Sequence, residues 1–379
     1  MALHKEIKYS YNDIGIVPAI VSQIEHRGDC DPFINGKLPL FTAPMSSVVD
    51  ENNFQIFEEN GINAILPRTV DFNTRVSYAV NGKWAAFGLK EFEETFIVKD
   101  VKSYKIKVLI DIANGHMAKL LSLVRTFKEK YKDIQTEIMV GNIANPFTYI
   151  ELAKVGVDYV RCGIGVGEVC ITSTNVGIQF SVASLIDETK NQKKIVESIF
   201  NTSKDSKFKS VPKIIADGGV RNYSDAIKAL ALGADYVMIG GLFTRMLESA
   251  AITFVEGDDI VGRRYVDNYN IIETENGWEV SDKRDILNVW AQTYPKLFKS
   301  FFGMASKKAQ KLMHGQKIRT SEGIEKVVEV KFTLPQWVEN FTDYLRSAMS
   351  YTNAKTLNDF INNTNTVLLS NNTYNSVNK

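Results

Sequence analysis

Cysteine, proline and histidine are scarce in this chain, no sign of charge predominates, and no long apolar run is present. Three cysteines (Cys30, Cys162 and Cys170) in 379 residues are too few, and odd in number, for a disulfide framework; a reducing, cytoplasmic setting is expected. Basic and acidic side chains number 45 and 44, a formal net charge of +1, so the balance favours neither nucleic acid nor a membrane surface as partner. No apolar run reaches the ~18 residues that span a bilayer. The opening Met1-Ala-Leu-His-Lys-Glu6 lacks the apolar core of a secretory signal. The four histidines, His4, His26, His116 and His314, show no metal-ligand spacing, and His116 reads as solvated.

What recurs instead is a short Val/Ile-rich run. Eight are expected to be strands: 38–42, 62–66, 83–87, 107–111, 136–141, 157–161, 213–217 and 235–239. They are mostly continuous rather than alternating, as strands covered on both faces of a parallel sheet are. Helical patterns lie between them. Asn145-Pro146 offers a cap and a first-turn proline and Gly156 a stop; Ser224-Asp225 opens another helix that Gly233 closes. The special residues all fall at or just after strand C-terminal ends, where a (β/α)8 TIM barrel assembles its site from every loop. An open sheet would gather them at one switch point. A single-domain barrel over 1–361 is therefore expected, with a polar, exposed insertion near 187–210 and a long charged insertion near 244–300 holding a small hairpin at 258–269. A polar tail over 362–379 is expected to be partly disordered.

Three segments carry candidate chemistry. In Arg161-Cys-Gly-Ile-Gly-Val-Gly-Glu-Val-Cys-Ile-Thr172, three glycines in five positions let backbone approach a ligand closely. A cysteine after such a loop is either a nucleophile or an inert buried thiol; on the loop alone the two readings stand level. Asp217-Gly-Gly219 and Gly240-Gly241 follow the seventh and eighth runs, where barrels often hold phosphate; the alternative is two tight turns. In Arg319-Thr-Ser-Glu-Gly323, Glu322 read by its neighbours alone is better taken as an exposed loop charge.

Gly163-Ile-Gly-Val-Gly-Glu-Val-Cys170-Ile-Thr172 resembles the G-I-G-P-G-S-x-C-x-T loop of the IMP dehydrogenase/GMP reductase family. The likeness runs along nearly the whole chain: Tyr11-Asn-Asp-Ile-Gly-Ile-Val-Pro18, Ala43-Pro-Met-Ser-Ser-Val48, Asp111-Ile-Ala-Asn-Gly-His116, Met139-Val-Gly-Asn142, Ala216-Asp-Gly-Gly219, Ile239-Gly-Gly241, Phe302-Gly-Met304 and Leu345-Arg-Ser-Ala-Met-Ser-Tyr-Thr352 follow in family order. It implies a barrel without a CBS domain, a homotetramer and a purine nucleotide or nucleoside substrate. Cys170, Thr172 and Glu322 match the catalytic positions. Substrate contacts fall on Met45, Glu168, Asp217, Gly218, Gly219, Gly240 and Gly241, and further on Gly303, Met304, Arg319, Ser321 and Gly323. Arg68 and Asp111, Ile112, Ala113, Asn114 and Gly115 match the cofactor side, for NADPH with NADH as the second choice. The carbonyls of Gly165, Gly167 and Cys170 match a monovalent-cation site, usually potassium.

Within the family the chain looks more like a reductase. Gly303 to Gly323 spans about twenty residues with no Arg-Tyr dipeptide, too short for a dehydrogenase flap, and Arg319-Thr-Ser-Glu-Gly323 is similar to the reductases' R-x-S-E-G. The implied reaction is reductive deamination of a guanine-type base through a Cys170 adduct at C2. The alternatives are an IMP-dehydrogenase-like oxidation with a diverged flap, or a purine-binding paralogue without catalysis. The phosphate side departs from the family pattern: Glu168 replaces its serine and Val166 its proline, while Ala305 and Phe301 replace further donors. An ionised Glu repels a phosphate by roughly 1 kcal/mol in water at 4 Å and by about 4 at an effective dielectric of 20, so whether the substrate carries a 5′-phosphate is open from the sequence.

Overall fold

The structure is a computed structural model. It describes residues 6–169, 171–203, 206–255, 297–315, 320–321 and 323–370. After a short strand β1 (Ile14–Val17), all eight expected strands form: β2 (Leu40–Thr42), β3 (Ile65–Leu66), β4 (Trp84–Phe87), β5 (Lys105–Asp111), β6 (Gln135–Ile143), β7 (Tyr159–Cys162), β8 (Lys213–Asp217) and β9 (Tyr236–Ile239). They make one parallel sheet in the order β2-β9-β8-β7-β6-β5-β4-β3. Asn63 closes it into a barrel: its N–H donates to the Leu40 carbonyl at 3.0 Å, and its carbonyl accepts from Thr42 at 2.9 Å.

Period-two alternation divides the strand residues. Phe41, Ile65, Trp84, Leu109, Met139, Ile215, Tyr236 and Met238 point inward and fill the barrel. Phe41 and Tyr236 lie 5.1 Å apart between ring centroids. Leu40, Leu66, Phe87, Val108, Ile138, Val160 and Val237 point outward into the layer that meets the helices. The helix Thr148–Val155 begins just after Asn145-Pro146 and stops at Gly156, whose φ is +87°. The helix Tyr223–Ala231 is capped by Asn222, whose side chain accepts from the Asp225 amide, rather than by Ser224.

Two polar stretches are more ordered than their composition suggests. Residues 187–202 are not an exposed insertion: they continue the helix Val182–Thr202, whose Thr189 and Val196 are buried. The polar residues lie on its outer face, and the apolar ones recur at helical spacing. The first part of the polar tail is paired. Strand β13 (Asn365–Leu368) pairs antiparallel with β1, Ile14 opposite Leu368, and the Leu369 amide donates to Asp13 at 2.8 Å. The proposed hairpin at 258–269 lies outside the described residues. The flanks of that stretch do pair: β10 (Thr253–Val255), β11 (Leu297–Phe302) and β12 (Glu325–Glu329) form an antiparallel sheet.

Lys299 pins this sheet to the loop after β9. It is 1% exposed, and its ammonium donates to the carbonyls of Leu247 at 2.9 Å and Ser249 at 3.0 Å. Burial pushes its pKa down to about 8, against the pull of the Glu248 carboxylate. We expect Lys299→Ala to cost about 2–4 kcal/mol, because buried carbonyls lose their donor. Denaturant melts would show it; an unchanged midpoint would make the lysine ornamental to the fold.

Candidate active site

Alternation continues to the C-terminal rim, where the inward positions turn polar. Asp111 follows Leu109 in β5, Arg161 follows Tyr159 in β7, and Asp217 follows Ile215 in β8. The Arg161 side chain, 7% exposed, bridges the two carboxylates. It donates to Asp111 Oδ1 at 2.7 Å through Nη1 and to Asp217 Oδ2 at 2.9 Å through Nη2 and 3.2 Å through Nε. Burial works against its charge, but the two carboxylates outweigh that and raise its pKa. Gly141, the inward rim residue of β6, makes room: a Cβ there would collide with Arg161 Cβ. Asn142 donates from Nδ2 to Asp217 Oδ2 at 2.6 Å and to the Gly163 carbonyl at 2.6 Å. Asp217 Oδ2 therefore meets three donors, while among the described residues none meets Oδ1.

The Gly-rich loop folds over this layer. Gly163 has φ +149°, and any side chain there would strike the Asp217 carbonyl oxygen; the close approach requires glycine. Beyond the loop, Val169 is buried against Phe301 and Val328. Its carbonyl accepts from the Ile324 amide at 3.0 Å. Gly303 and Gly323 both sit against Val169, each within 3.3 Å of its carbonyl oxygen measured from an added Cβ. Ser321 Oγ donates to the Gly323 carbonyl at 2.6 Å. The neighbours of Cys170 and of Glu322 thus pack on one another. Cys170, Glu322 and Arg319 themselves lie outside the described residues.

Among the described residues, cavities of three sizes open on this face. A small one of 210 Å³ is walled by Met45, Asp217, Gly218, Gly303, Met304 and Gly323, together with Gly165, Gly167 and Arg161. A wide one of 1060 Å³ is walled by Arg68, Asp111, Ile112, Ala113 and Thr172, and shares Asp111, Asn142, Gly163, Gly165, Met304 and Ala305 with the small one. A side cavity of 730 Å³ is walled by Glu168, Gly219, Arg245, Phe180 and Trp337, among others. Most expected site residues are brought together here. Asn114 and Gly115 are exceptions: they turn the chain behind the wall, Asn114 Oδ1 accepting from the His116 amide at 3.1 Å and Gly115 donating to the Asn142 carbonyl at 2.9 Å. Gly240 is covered by Met45, whose Sδ lies 3.1 Å from an added Cβ. Ala305, expected beside Glu168, lines the small and wide cavities instead, because Ser306 turns the chain back with its amide on Gly303 at 2.9 Å. His116 is exposed as expected, with Nδ1 at 2.8 Å from Thr148 Oγ1.

Arg161 is a site residue that the motifs do not point to, although a charged residue at an inward strand end is a signal for it; Asn142, uncharged and next after the inward Gly141, carries no such signal. Arg245 and Lys326, which meet Glu168 at 3.7 and 3.6 Å, had none. The remaining cysteines are not competitors for Cys170. Cys162 faces the helix layer, and burial pushes its thiol up to about 12; Cys30 is buried and also raised.

A barrel whose eight loops gather paired carboxylates, a bridging arginine and a Gly-rich loop around linked cavities is the architecture of a small-molecule enzyme. The IMP dehydrogenase / GMP reductase domain model matches residues 8–267, and the chain belongs to that family. It is 28% identical to a GMP reductase of Shouchella clausii over 97% of both chains. It is 29% identical to one of Clostridium acetobutylicum over 98% of both, and 30% identical to one of Enterococcus faecalis over 68% of this chain and 77% of the other. Among the described residues no helix is long and apolar enough to cross a membrane.

Arg161→Met would leave two partly buried carboxylates facing each other without their cation. A loss of about 3–5 kcal/mol is expected. Melting curves check this; an unchanged midpoint would contradict a bridging role.

Proposed function

We propose that this protein is a GMP-reductase-like oxidoreductase that deaminates a guanine-type nucleotide or nucleoside reductively, giving the hypoxanthine product and ammonia. One observation carries the reading: the residues flanking Cys170 and Glu322 pack together over a pocket floored by Asp217. The base sits in the small cavity against Met45 and Met304, and Asp217 Oδ1, left free by the bonds that Arg161 and Asn142 make to Oδ2, accepts from the sugar hydroxyls. The Cys170 thiolate adds to purine C2. The C2–N bond to the amino group then breaks, with a proton delivered to the leaving nitrogen by Glu322 working with Thr172. Hydride arrives at C2 and the C–S bond breaks, returning the thiolate.

The hydride comes from a nicotinamide cofactor when bound. The wide cavity suits it: it is roomy, it meets the base pocket along the Asp111–Gly165 side, and Arg68 and Lys90 on its wall offer positive charge to phosphates. NADPH is the better fit and NADH the second choice. Potassium matches neutral donors such as the carbonyls of Gly165, Gly167 and Cys170, a set for a singly charged hard cation. A homotetramer in the cytoplasm completes the reading.

Two variants test it. With Cys30 and Cys162 buried, a thiol reagent at neutral pH is expected to label one cysteine per native chain, and Cys170→Ala is expected to abolish both that label and ammonia release. Retained turnover in the Ala variant would exclude covalent catalysis. Glu322→Gln is expected to lower kcat by about 10²–10⁴-fold with little change in substrate Kd, since proton delivery acts only along the reaction path. Lost affinity at unchanged kcat would make Glu322 a binding residue.

A further inference from the structure

We infer that Glu168 fills the anion pocket of this site with the protein's own carboxylate, so that the substrate is a nucleoside without a 5′-phosphate. The loops after the seventh and eighth strands of a barrel are where phosphate is commonly held. Here that place lies between Gly219 and Gly241. Glu168 occupies it: Oε2 comes 2.8 Å from where a Cβ on Gly241 would be, with the Phe301 ring 3.3 Å from the same point. The missing side chain at 241 is what admits the carboxylate. Its other oxygen, Oε1, faces two cations from different elements, Arg245 Nη2 at 3.7 Å and Lys326 Nζ at 3.6 Å. Two cations converging on a glycine-walled recess form a site for a phosphoryl group, yet a tethered carboxylate already stands between them.

The energetics favour exclusion. A phosphate entering this recess would either face Glu168 at close range or displace it from both cations. Like charges at this range repel, and the Glu168 side chain, 36% exposed, leaves part of that repulsion unscreened. Phe301 is 2% exposed and brings no donor. On the other side, the cavity continues along Phe180, Phe332 and Trp337, surfaces that accept an uncharged substituent. A neutral 5′-hydroxyl asks nothing of the two cations and can donate to the carboxylate. Glu168 is thus a specificity-determining residue: removing its charge exposes an anion site that the fold already contains.

The choice of guanosine as ligand rests on the proposed purine reading; the anion pocket does not, and the experiment separates them. Calorimetry on the full chain would measure guanosine, GMP and inorganic phosphate against wild type, Glu168→Ser, Glu168→Gln and the double variant Glu168→Ser/Arg245→Met. The expected result is guanosine bound at least tenfold more tightly than GMP by wild type. Both single variants should shift that ratio at least tenfold toward GMP, and the double variant should lose the shift. Inorganic phosphate should bind either single variant at least tenfold more tightly than wild type. Equal wild-type affinity for GMP and guanosine, with the ratio unmoved by either substitution, would overturn the inference. If neither purine binds wild type, the purine reading fails, and phosphate alone decides: gained binding in Glu168→Gln upholds the self-filled pocket, and no gain refutes it.

Discussion

Arg161 is the interaction on which the site depends. Its guanidinium stands in the topmost inward layer of the barrel, where a residue that is not ionically satisfied would be costly, and it is satisfied by carboxylates from two strands on opposite sides of its own. One of them, Asp111, lines both the wide and the small cavity; the other, Asp217, lines the small one. Because Nε and Nη2 both reach Asp217 Oδ2, and Asn142 reaches the same oxygen, that carboxylate cannot rotate without breaking three bonds. Its other oxygen is thereby presented to the pocket. The planar fork of arginine is what makes this arrangement available; a lysine ammonium cannot hold two carboxylates in fixed orientations at once. Gly141 and Gly163 are consequences of the same packing, one vacating space beside Arg161 and the other letting the Gly-rich loop descend on the Asp217 carbonyl.

The second element is the sheet that comes after the barrel in sequence and covers its mouth. β11 and β12 bring Gly303 and Gly323 onto Val169, and Lys299 ties that sheet to the loop after β9. In this way residues some 150 positions apart in the chain are held against one another by backbone hydrogen bonds and a small apolar cluster. The same sheet carries Phe301 and Lys326 to the flank of Glu168, so the segment that packs on Val169 also shapes the surroundings of the side cavity that Glu168 lines.

Much of this was legible in the chain. The eight strands follow from apolar runs of the right length, most of them flanked by glycine, asparagine or proline, and continuous apolar character is what burial on both faces requires. The position of the site follows too, since the special residues sit after strand ends. Two stretches look less ordered in sequence than they are, for physical reasons. Residues 187–202 look like an insertion because the lysines and asparagines outnumber the buried positions, but a helix needs only one apolar face, and Thr189 and Val196 lie on it. Residues 365–368 look like a loose tail because their side chains are mostly exposed, yet a two-stranded pairing is held by backbone groups, which composition does not display.

The sequence by itself determined the barrel, its family, the loop that bears Cys170 and the departure at Glu168, because each of these is written in contiguous residues with a period or a spacing. Tertiary structure alone decided the charge relations. That Arg161 spans Asp111 and Asp217, that Ala305 lies away from Glu168, and that Arg245 and Lys326 converge on Glu168 are all contacts between residues distant in sequence. Coulomb energy depends on separation in space and on what water is excluded, and neither quantity is carried by the order of residues along the chain.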